Sequence, residues 1–171
     1  DIDLQEYGER LMANKIGAIV AIEPSTGEIL ALVSSPSYDP STLVGRSRGK
    51  NYAALNRNPY KPLYDRAIMA AYPPGSTFKP TQGLTFLQEG VITPHTMYPC
   101  YHGFVSGRLR VGCHAHGSPL SLMPAISTSC NAYFCYGLKS MVDSRSKYKS
   151  TAEAFDTWKD YMVSMGYGYR L

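Results

Sequence analysis

The sequence feature that most restricts the possible folds of this 171-residue chain is a pair of short apolar runs. Six turn-forming or polar residues separate them. Residues 16–22 read IGAIVAI and residues 29–33 read ILALV, lengths that favour strands over helices. Between them, Pro24 presets a turn and Gly27 can adopt a positive φ. A β-hairpin is therefore predicted. Because neither run alternates with polar residues, we expect both of its faces to be covered by helices.

Apolar residues recur at helical spacing in six further segments, which predicts a mixed α/β (α+β) fold with helices packed on an antiparallel sheet. The segment 34–62 is rich in Ser, Pro, Gly and Asn, so we expect a long surface connection there. Residues 91–119 are rich in turn-forming residues and hold most of the Cys and His residues. The helical segments are 1–14, 63–71, 76–88, 121–126, 132–141 and 151–165.

The charge pattern and the hydropathy exclude several classes of function. The formal net charge is +4, and the only basic cluster, residues 144–149 (SRSKYK), is short enough to be a solvated face; no nucleic-acid partner is expected. No run approaches the roughly 20 apolar residues of a membrane span. No signal peptide opens the chain, so a targeting or anchoring segment would lie outside these residues.

A serine and a lysine at S-x-x-K spacing share one helix face, where the amine can take the proton of the attacking hydroxyl. Burial would lower the pKa of the lysine, so that a fraction of its amine is neutral. The spacing occurs four times, but only Ser76 and Lys79 follow a Pro-Pro-Gly break and open an apolar helix. The alternative is that Ser76 only caps that helix.

A second motif, Ser129-Cys130-Asn131, lies between two predicted helices. A hydroxyl and a carboxamide two residues apart can face the same cleft. The hydroxyl could pass a proton to a leaving amine, and the carboxamide could hold a substrate peptide bond and the lysine. The alternative is a simple helix cap by Ser129.

These residues resemble the class B penicillin-binding proteins, whose first two motifs are similar to residues 72–80 (YPPGSTFKP) and 129–131 (SCN). The similarity extends over nearly the whole chain, in the family's order, and is greatest to the elongation type, penicillin-binding protein 2. The other matching segments are residues 1–5 (DIDLQ), 17–28 (GAIVAIEPSTGE), 35–40 (SPSYDP) and 65–67 (DRA).

The resemblance implies a penicillin-binding/serine β-lactamase-like fold and a peptidoglycan D,D-transpeptidase that needs no cofactor for its chemistry. Ser76 would attack the penultimate D-Ala carbonyl of a stem peptide, with Lys79 as general base. Ser129 would relay a proton, and Asn131 would hold the substrate amide. β-Lactams would acylate Ser76. The implied location is the extracytoplasmic (periplasmic) face of the inner membrane, with cell-elongation membrane proteins as partners.

The family's third motif, K-[ST]-G, is absent from residues 1–171. The chain is therefore interpreted as the N-terminal part of a transpeptidase domain, truncated before that motif and the remaining sheet strands. We expect these residues alone to be inactive and to label weakly with penicillin. Without those strands, the hairpin would expose an apolar face and an unpaired edge, which favours self-association.

Three cysteines and a histidine in the turn-rich region form a candidate zinc site: Cys100, Cys113, His116 and Cys130, with His114 as the alternative histidine. Three thiolates and an imidazole are a set that zinc binds tetrahedrally. Such a metal would be structural and would tie the loop to the Ser129–Asn131 motif. A Cys100–Cys113 disulfide or buried free thiols at Cys130 and Cys135 are the alternatives.

Three other functions remain open at the level of sequence. A serine β-lactamase or a D,D-carboxypeptidase would use the same scaffold but would admit water to the acyl-enzyme. A non-catalytic β-lactam sensor or scaffold would lack an intact third motif. Slow deacylation distinguishes a transpeptidase from a lactamase.

Overall fold

The computed structural model describes residues 1–168, which form seven α-helices, two 3₁₀ turns and two antiparallel hairpins. The contacts divide the chain into a first unit that ends at Pro73 and a second unit that begins at Pro74. Within residues 1–168, no helix is both long and apolar enough to cross a bilayer.

The first unit confirms the predicted hairpin and the helical segments predicted before and after it, residues 1–14 and 63–71. Its two strands pair antiparallel, with Ile19 opposite Val33 and a register shift between Ala21 and Ile22. Its elements are α1 (Ile2–Leu11), β1 (Gly17–Ile22), β2 (Ile29–Ser35), a 3₁₀ turn (Pro40–Leu43), α2 (Arg48–Arg57) and α3 (Arg66–Met69).

Helix α1 packs on the hairpin through a glycine and not through its apolar stripe. Gly8 is the buried residue of α1, and a Cβ added there would lie 2.9 Å from Val33 Cγ2. The side-chain amide of Gln5 donates to the carbonyl of Leu32 at 3.0 Å, and its oxygen accepts from the Leu32 N–H at 2.8 Å. Gln5 thereby pairs with the backbone N–H and carbonyl of Leu32 on the outer edge of β2, as a residue of a neighbouring strand would.

The opposite face of the hairpin is open in the first unit. Burial alternates along β1, and Val20, Ile22 and Ile29 are 45%, 55% and 60% exposed. Helix α3 contacts both strands, and its Arg66 N–H donates to Ser34 Oγ at 2.8 Å. Val20, Ile22 and Ile29 nevertheless stay exposed, so the prediction that helices cover both faces is wrong for this unit. Self-association through the open face stays a prediction.

The segment predicted as a surface connection contains a helix. The sequence of α2 lacks the apolar period by which amphipathic helices are recognised, so the pattern did not predict a helix here. The helix has no buried residue, which agrees with the predicted surface position.

The second unit confirms the predicted helices to within a few residues and adds a hairpin in the turn-rich region. Residues 104–111 (FVSGRLRV) alternate in polarity around Gly107, whose φ is +58°, and this signal could have predicted two strands. The elements are a 3₁₀ turn (Gly75–Phe78), α4 (Lys79–Gln88), β3 (Gly103–Ser106), β4 (Leu109–Gly112), α5 (Leu122–Ser127), α6 (Asn131–Val142) and α7 (Thr151–Ser164).

Helices α4 and α6 meet at a phenylalanine and a glycine. Phe86 of α4 is fully buried, and a Cβ on Gly137 of α6 would lie only 2.5 Å from its ring. On the same helix as Phe86, a Cβ on Gly83 would lie 3.3 Å from Leu122 Cδ1 of α5. Glycine is needed at position 137 because the ring occupies the space of a side chain. This contact holds together the two helices whose N-terminal ends carry the two sequence motifs.

The Gly137→Ala substitution tests that contact. Overpacking should lower the free energy of unfolding of the second unit by about 1–3 kcal/mol. Urea unfolding followed by the fluorescence of Trp158, the single tryptophan of the chain, measures the change. Gly49→Ala is the matched control, since Gly49 lies in α2 with no atom within 4 Å of an added Cβ. Equal stability of the two variants would contradict the proposed role of Gly137.

Candidate active site

Ser76 lies in the 3₁₀ turn that leads into α4, and Lys79 is the first residue of α4. The turn starts at Gly75, which has a φ of +59°, a conformation that glycine adopts without strain. Neither the 3₁₀ turn nor α4 has a side-chain N-cap. The interpretation of Ser76 as a helix cap is therefore wrong, and its hydroxyl is available to other groups.

Ser129 occupies a strained position between α5 and α6. Its φ is +54°, in the left-handed region that costs a non-glycine residue about 1–2 kcal/mol. The N–H groups of Ser129 and Cys130 donate to the carbonyls of Ile126 and Ala125, which ends α5. Cys130, not Ser129, caps α6, because its sulfur accepts from the Tyr133 N–H. The simple-cap interpretation of Ser129 is therefore wrong as well.

The four predicted catalytic side chains converge on the amine of Lys79. Its Nζ lies 3.1 Å from Ser76 Oγ, 2.9 Å from Ser129 Oγ and 2.6 Å from the Ser129 carbonyl oxygen. It also lies 2.6 Å from Asn131 Oδ1. The Ser129 hydroxyl donates to Ser76 Oγ at 2.9 Å, which closes a triangle of two hydroxyls and an amine.

The environment of Lys79 favours its role as a base. Burial lowers the pKa of Lys79, although the neighbouring thiols of Cys113, Cys130 and Cys135 act in the opposite direction. The amine also lies 5.9 Å from the centroid of the Phe134 ring. A lowered pKa increases the neutral fraction of the amine near pH 7, and the neutral amine can accept the Ser76 proton.

The carboxamide of Asn131 has a defined orientation. Its Nδ2 donates to the Gly112 carbonyl at 2.8 Å, so its oxygen faces Lys79. Its backbone N–H donates to Cys113 Sγ at 3.3 Å. Strand β4 therefore ends beside the Asn131 carboxamide. The sequence did not predict this contact, because it did not predict the hairpin.

The other S-x-x-K pairs form no such site. Ser47 and Lys50 are exposed at the start of α2. Lys147, from another pair, donates to the carboxylate of Glu89, and Ser146 and Lys149 are exposed. The arrangement around Ser76 and Lys79 is therefore not a consequence of the spacing alone.

The predicted metal-ligating side chains also lie together. The sulfur atoms of Cys100, Cys113 and Cys130 and a ring nitrogen of His116 lie within 4.8 Å of one another. His114 is outside this set. All four cysteines of the chain are free thiols, so the alternative Cys100–Cys113 disulfide is not formed here.

The thiols of the cluster differ strongly in acidity. Burial raises the pKa of Cys113, but hydrogen bonds from the Asn131 N–H, His116 and the Ala132 N–H outweigh it and lower that pKa to about 6. Burial raises the pKa of Cys130 to about 11. The His116 Nδ1 lies 2.7 Å from the Gly117 carbonyl, a contact that raises the pKa of His116. Because Nδ1 faces the Gly117 carbonyl, Nε2 is the ring nitrogen that faces the cluster, 3.4 Å from Cys113 Sγ.

Residues 17–171 match the sequence family described as the penicillin binding protein transpeptidase domain. The chain belongs to the penicillin-binding protein transpeptidase family. The resemblance stated from the motifs is thus confirmed.

The relatives of this chain include two named peptidoglycan D,D-transpeptidases. The peptidoglycan D,D-transpeptidase MrdA of Acinetobacter baumannii is 40% identical over 138 residues, which cover 78% of this chain and 20% of the relative. The peptidoglycan D,D-transpeptidase PbpA of Mycolicibacterium smegmatis is 38% identical over 150 residues, which cover 81% of this chain and 30% of the relative. The chain thus spans about a fifth to a third of these relatives.

Solved structures of penicillin-binding protein 2 share the fold. The Pseudomonas aeruginosa protein in complex with WCK 5153 superposes with a TM-score of 0.83 at 34% identity, over 100% of this chain and 36% of that one. The Helicobacter pylori protein in complex with MreC superposes with a TM-score of 0.83 at 28% identity, over 99% of this chain and 30% of that one. These likenesses confirm the predicted transpeptidase fold and the predicted similarity to penicillin-binding protein 2.

The difference in thiol acidity generates a testable order of labelling. In chelator-treated protein near pH 7, iodoacetamide should modify Cys113 well before Cys130, because a thiolate reacts and a thiol does not. Peptide mass spectrometry over a time course measures the order. Modification of Cys130 at the same rate as Cys113 would contradict it.

Proposed function

We propose that this chain contributes the nucleophile and the first two motifs of a peptidoglycan D,D-transpeptidase active in cell-wall synthesis during elongation. The observation that supports this most directly is the convergence of Ser76, Ser129 and Asn131 on the amine of Lys79, at 2.6–3.1 Å. The chain would be the N-terminal part of the catalytic domain, in keeping with the 20% of MrdA that it covers.

In the proposed reaction, Ser76 Oγ attacks the penultimate D-Ala carbonyl of a stem peptide while Lys79 takes its proton. Ser76 is the second residue of its 3₁₀ turn, so its backbone N–H has no intrahelical acceptor and can stabilise the oxyanion. Collapse of the tetrahedral intermediate breaks the amide bond, and Ser129 passes a proton from Lys79 to the departing D-Ala amine. An amine of a neighbouring stem then attacks the acyl-enzyme ester, and the new amide bond replaces the ester bond. The proton that the amine loses passes through Lys79 to Ser76 Oγ, which leaves as the free hydroxyl.

The relatives support the remaining parts of the proposal. β-Lactams would acylate Ser76 as mimics of D-Ala-D-Ala, and the structures of a related penicillin-binding protein A from M. tuberculosis include a penicillin G acyl-enzyme complex. Cell-elongation membrane proteins would be partners, as in the H. pylori complex with MreC. The proposed location is the extracytoplasmic face of the inner membrane, where stem peptides are cross-linked.

Acylation of the full-length protein that carries this chain tests the proposed function. With benzylpenicillin, the peptide that contains Ser76 should gain one penicilloyl group, and Ser76→Ala should abolish the adduct because no nucleophile remains. The rate of acylation should rise with pH and level off below about 10.4, the ordinary lysine pKa, because the base is the neutral amine of Lys79. Intact-protein and peptide mass spectrometry over a pH series measure both results.

Ser144→Ala is the matched control, since Ser144 belongs to another S-x-x-K pair and should label as the wild type does. An adduct that persists in Ser76→Ala, or no adduct in the wild type, would refute the proposal. An adduct that forms and is hydrolysed within seconds would instead support the β-lactamase alternative. Residues 1–171 alone are expected to label weakly.

The cysteine–histidine cluster supports a second, structural proposal, that it binds zinc. Tetrahedral zinc with bonds of about 2.0–2.3 Å requires ligand atoms roughly 3.5–4 Å apart, and these four atoms already lie within 4.8 Å of one another. The contact of His116 Nδ1 with a backbone carbonyl is typical of a metal-binding histidine, whose other nitrogen remains free. The metal would do no chemistry.

A metal ion at this cluster would fix the backbone that carries the proposed catalytic residues. Cys130 lies between Ser129 and Asn131, and Cys113 follows Gly112, whose carbonyl accepts from the Asn131 side chain. A bond from each sulfur to one ion would fix the distance between the end of β4 and the start of α6. That distance sets the position of the Asn131 amide.

Metal analysis tests the zinc proposal. Protein purified without chelator should contain about one zinc per chain, and Cys130→Ser and His116→Ala should both lose most of it, because each removes one of four ligands. Cys135→Ser is the matched control, since Cys135 is not in the cluster, and should retain the metal. Zinc-free wild-type protein, or full occupancy in both ligand variants, would contradict the proposal.

A further inference from the structure

Tyr167 follows the last turn of α7 and has a fixed backbone. Gly166 adopts a φ of +89° and donates to the Val163 carbonyl, and the Tyr167 N–H donates to the Met162 carbonyl at 3.0 Å. These bonds have the form of a helix-terminating glycine motif. The direction in which Tyr167 leaves the helix is thus set by α7.

Helix α7 is itself attached to α4 by polar side chains. The Trp158 indole N–H donates to Gln82 Oε1 at 3.1 Å. The Tyr161 hydroxyl donates to Glu89 at 2.7 Å, and the same carboxylate accepts from Tyr148. Ala154 and Met162 of α7 are buried. Tyr167 is therefore presented by an element that is anchored to the helix of the nucleophile.

The Tyr167 side chain contacts Phe78 and Thr81, which lie on either side of Lys79 in the chain. Its ring meets the Phe78 ring edge-on, with centroids 5.3 Å apart and an interplanar angle of 87°. Its hydroxyl lies 3.1 Å from Thr81 Oγ1. Phe78 lies between Ser76 and Lys79 in the chain, and Thr81 follows Lys79 by two residues. Tyr167 thus contacts the turn on both sides of Lys79.

This turn depends on tertiary contacts because its own ends are weakly closed. The 3₁₀ turn and α4 both start without a side-chain cap, and a helix start without a cap leaves N–H groups unpaired. A shift of the nucleophile by about 1 Å can lower a rate by roughly 100-fold. A contact that fixes Phe78 and Thr81 would keep Ser76 and Lys79 in register with Ser129.

We propose that Tyr167 is a positioning residue of the transpeptidase site, which holds the Ser76–Lys79 turn through Phe78 and Thr81 without touching the reacting atoms. This rests on the proposed function, since its consequence is measured as acylation of Ser76. Tyr167 affects the rate of the chemical step and not the affinity for the β-lactam.

The test uses the full-length protein and separates affinity from rate. Acylation by a fluorescent penicillin is followed by stopped flow over a concentration series, which yields the limiting rate and the half-saturating concentration. Tyr167→Ala should lower the limiting rate by about 10-fold or more while the half-saturating concentration changes less than about twofold. Tyr167→Phe keeps the ring and should recover most of the rate.

Two further variants isolate the local contact from general stability. Phe155→Ala is the matched control, because Phe155 is on α7 and stacks on Trp158, and it should acylate as the wild type does. Thr81→Val should lower the limiting rate of acylation by no more than Tyr167→Phe does. The double variant should lower it by no more than either single variant, since both substitutions remove the same hydrogen bond. This comparison tests the hydrogen bond between Tyr167 and Thr81 even if Tyr167→Ala does not fold.

The outcomes distinguish this inference from the proposed function. Wild-type protein that is not acylated at Ser76 refutes the proposed function. Wild-type protein that is acylated, with Tyr167→Ala within about twofold of its limiting rate, overturns only the role of Tyr167. An equal loss in Phe155→Ala, or fully additive losses in the Thr81 and Tyr167→Phe pair, would also overturn it.

Discussion

The contact between Phe86 and Gly137 is the constraint on which the active site depends. The hydroxyl of Ser76 and the amine of Lys79 lie at the start of α4, and the hydroxyl of Ser129 and the carboxamide of Asn131 lie at the start of α6. The two helices can approach closely because Gly137 has no side chain where the Phe86 ring lies. The side chains of the two motifs, which are some 50 residues apart in the chain, are therefore brought together by packing in the core behind them.

Lys79 has both a structural and a proposed chemical part in the site. Its amine has acceptors from Ser76, Ser129 and Asn131 within hydrogen-bonding distance, and these contacts hold the three residues in a fixed arrangement. Burial at the same time lowers its pKa, which is needed for a base. In the proposed reaction the same side chain would therefore organise the site and act as the proton acceptor. Ser129 reaches it from a backbone with a φ of +54°.

Residues at the end of β4 fix the orientation of the Asn131 carboxamide. Strand β4 presents the Gly112 carbonyl to Asn131, and the next residue, Cys113, accepts from the Asn131 N–H. The same cysteine belongs to the cluster with Cys100, His116 and Cys130. The proposed zinc site and the proposed catalytic site therefore share one piece of backbone, so a change in the first would move the amide of the second.

The sequence by itself determined six of the seven helices that the structure describes, the first hairpin, the catalytic candidates and the three cysteines of the thiol–imidazole cluster. These follow from local rules of periodicity, turn chemistry and motif spacing. Only the tertiary structure decided that α2 is a helix, that residues 103–112 form strands, and that His116 and not His114 joins the cluster. It also decided that one face of the first hairpin stays open in its unit and that Tyr167 contacts Phe78 and Thr81. These features depend on which side chains from distant segments meet in space, and a pattern along one chain does not contain that information.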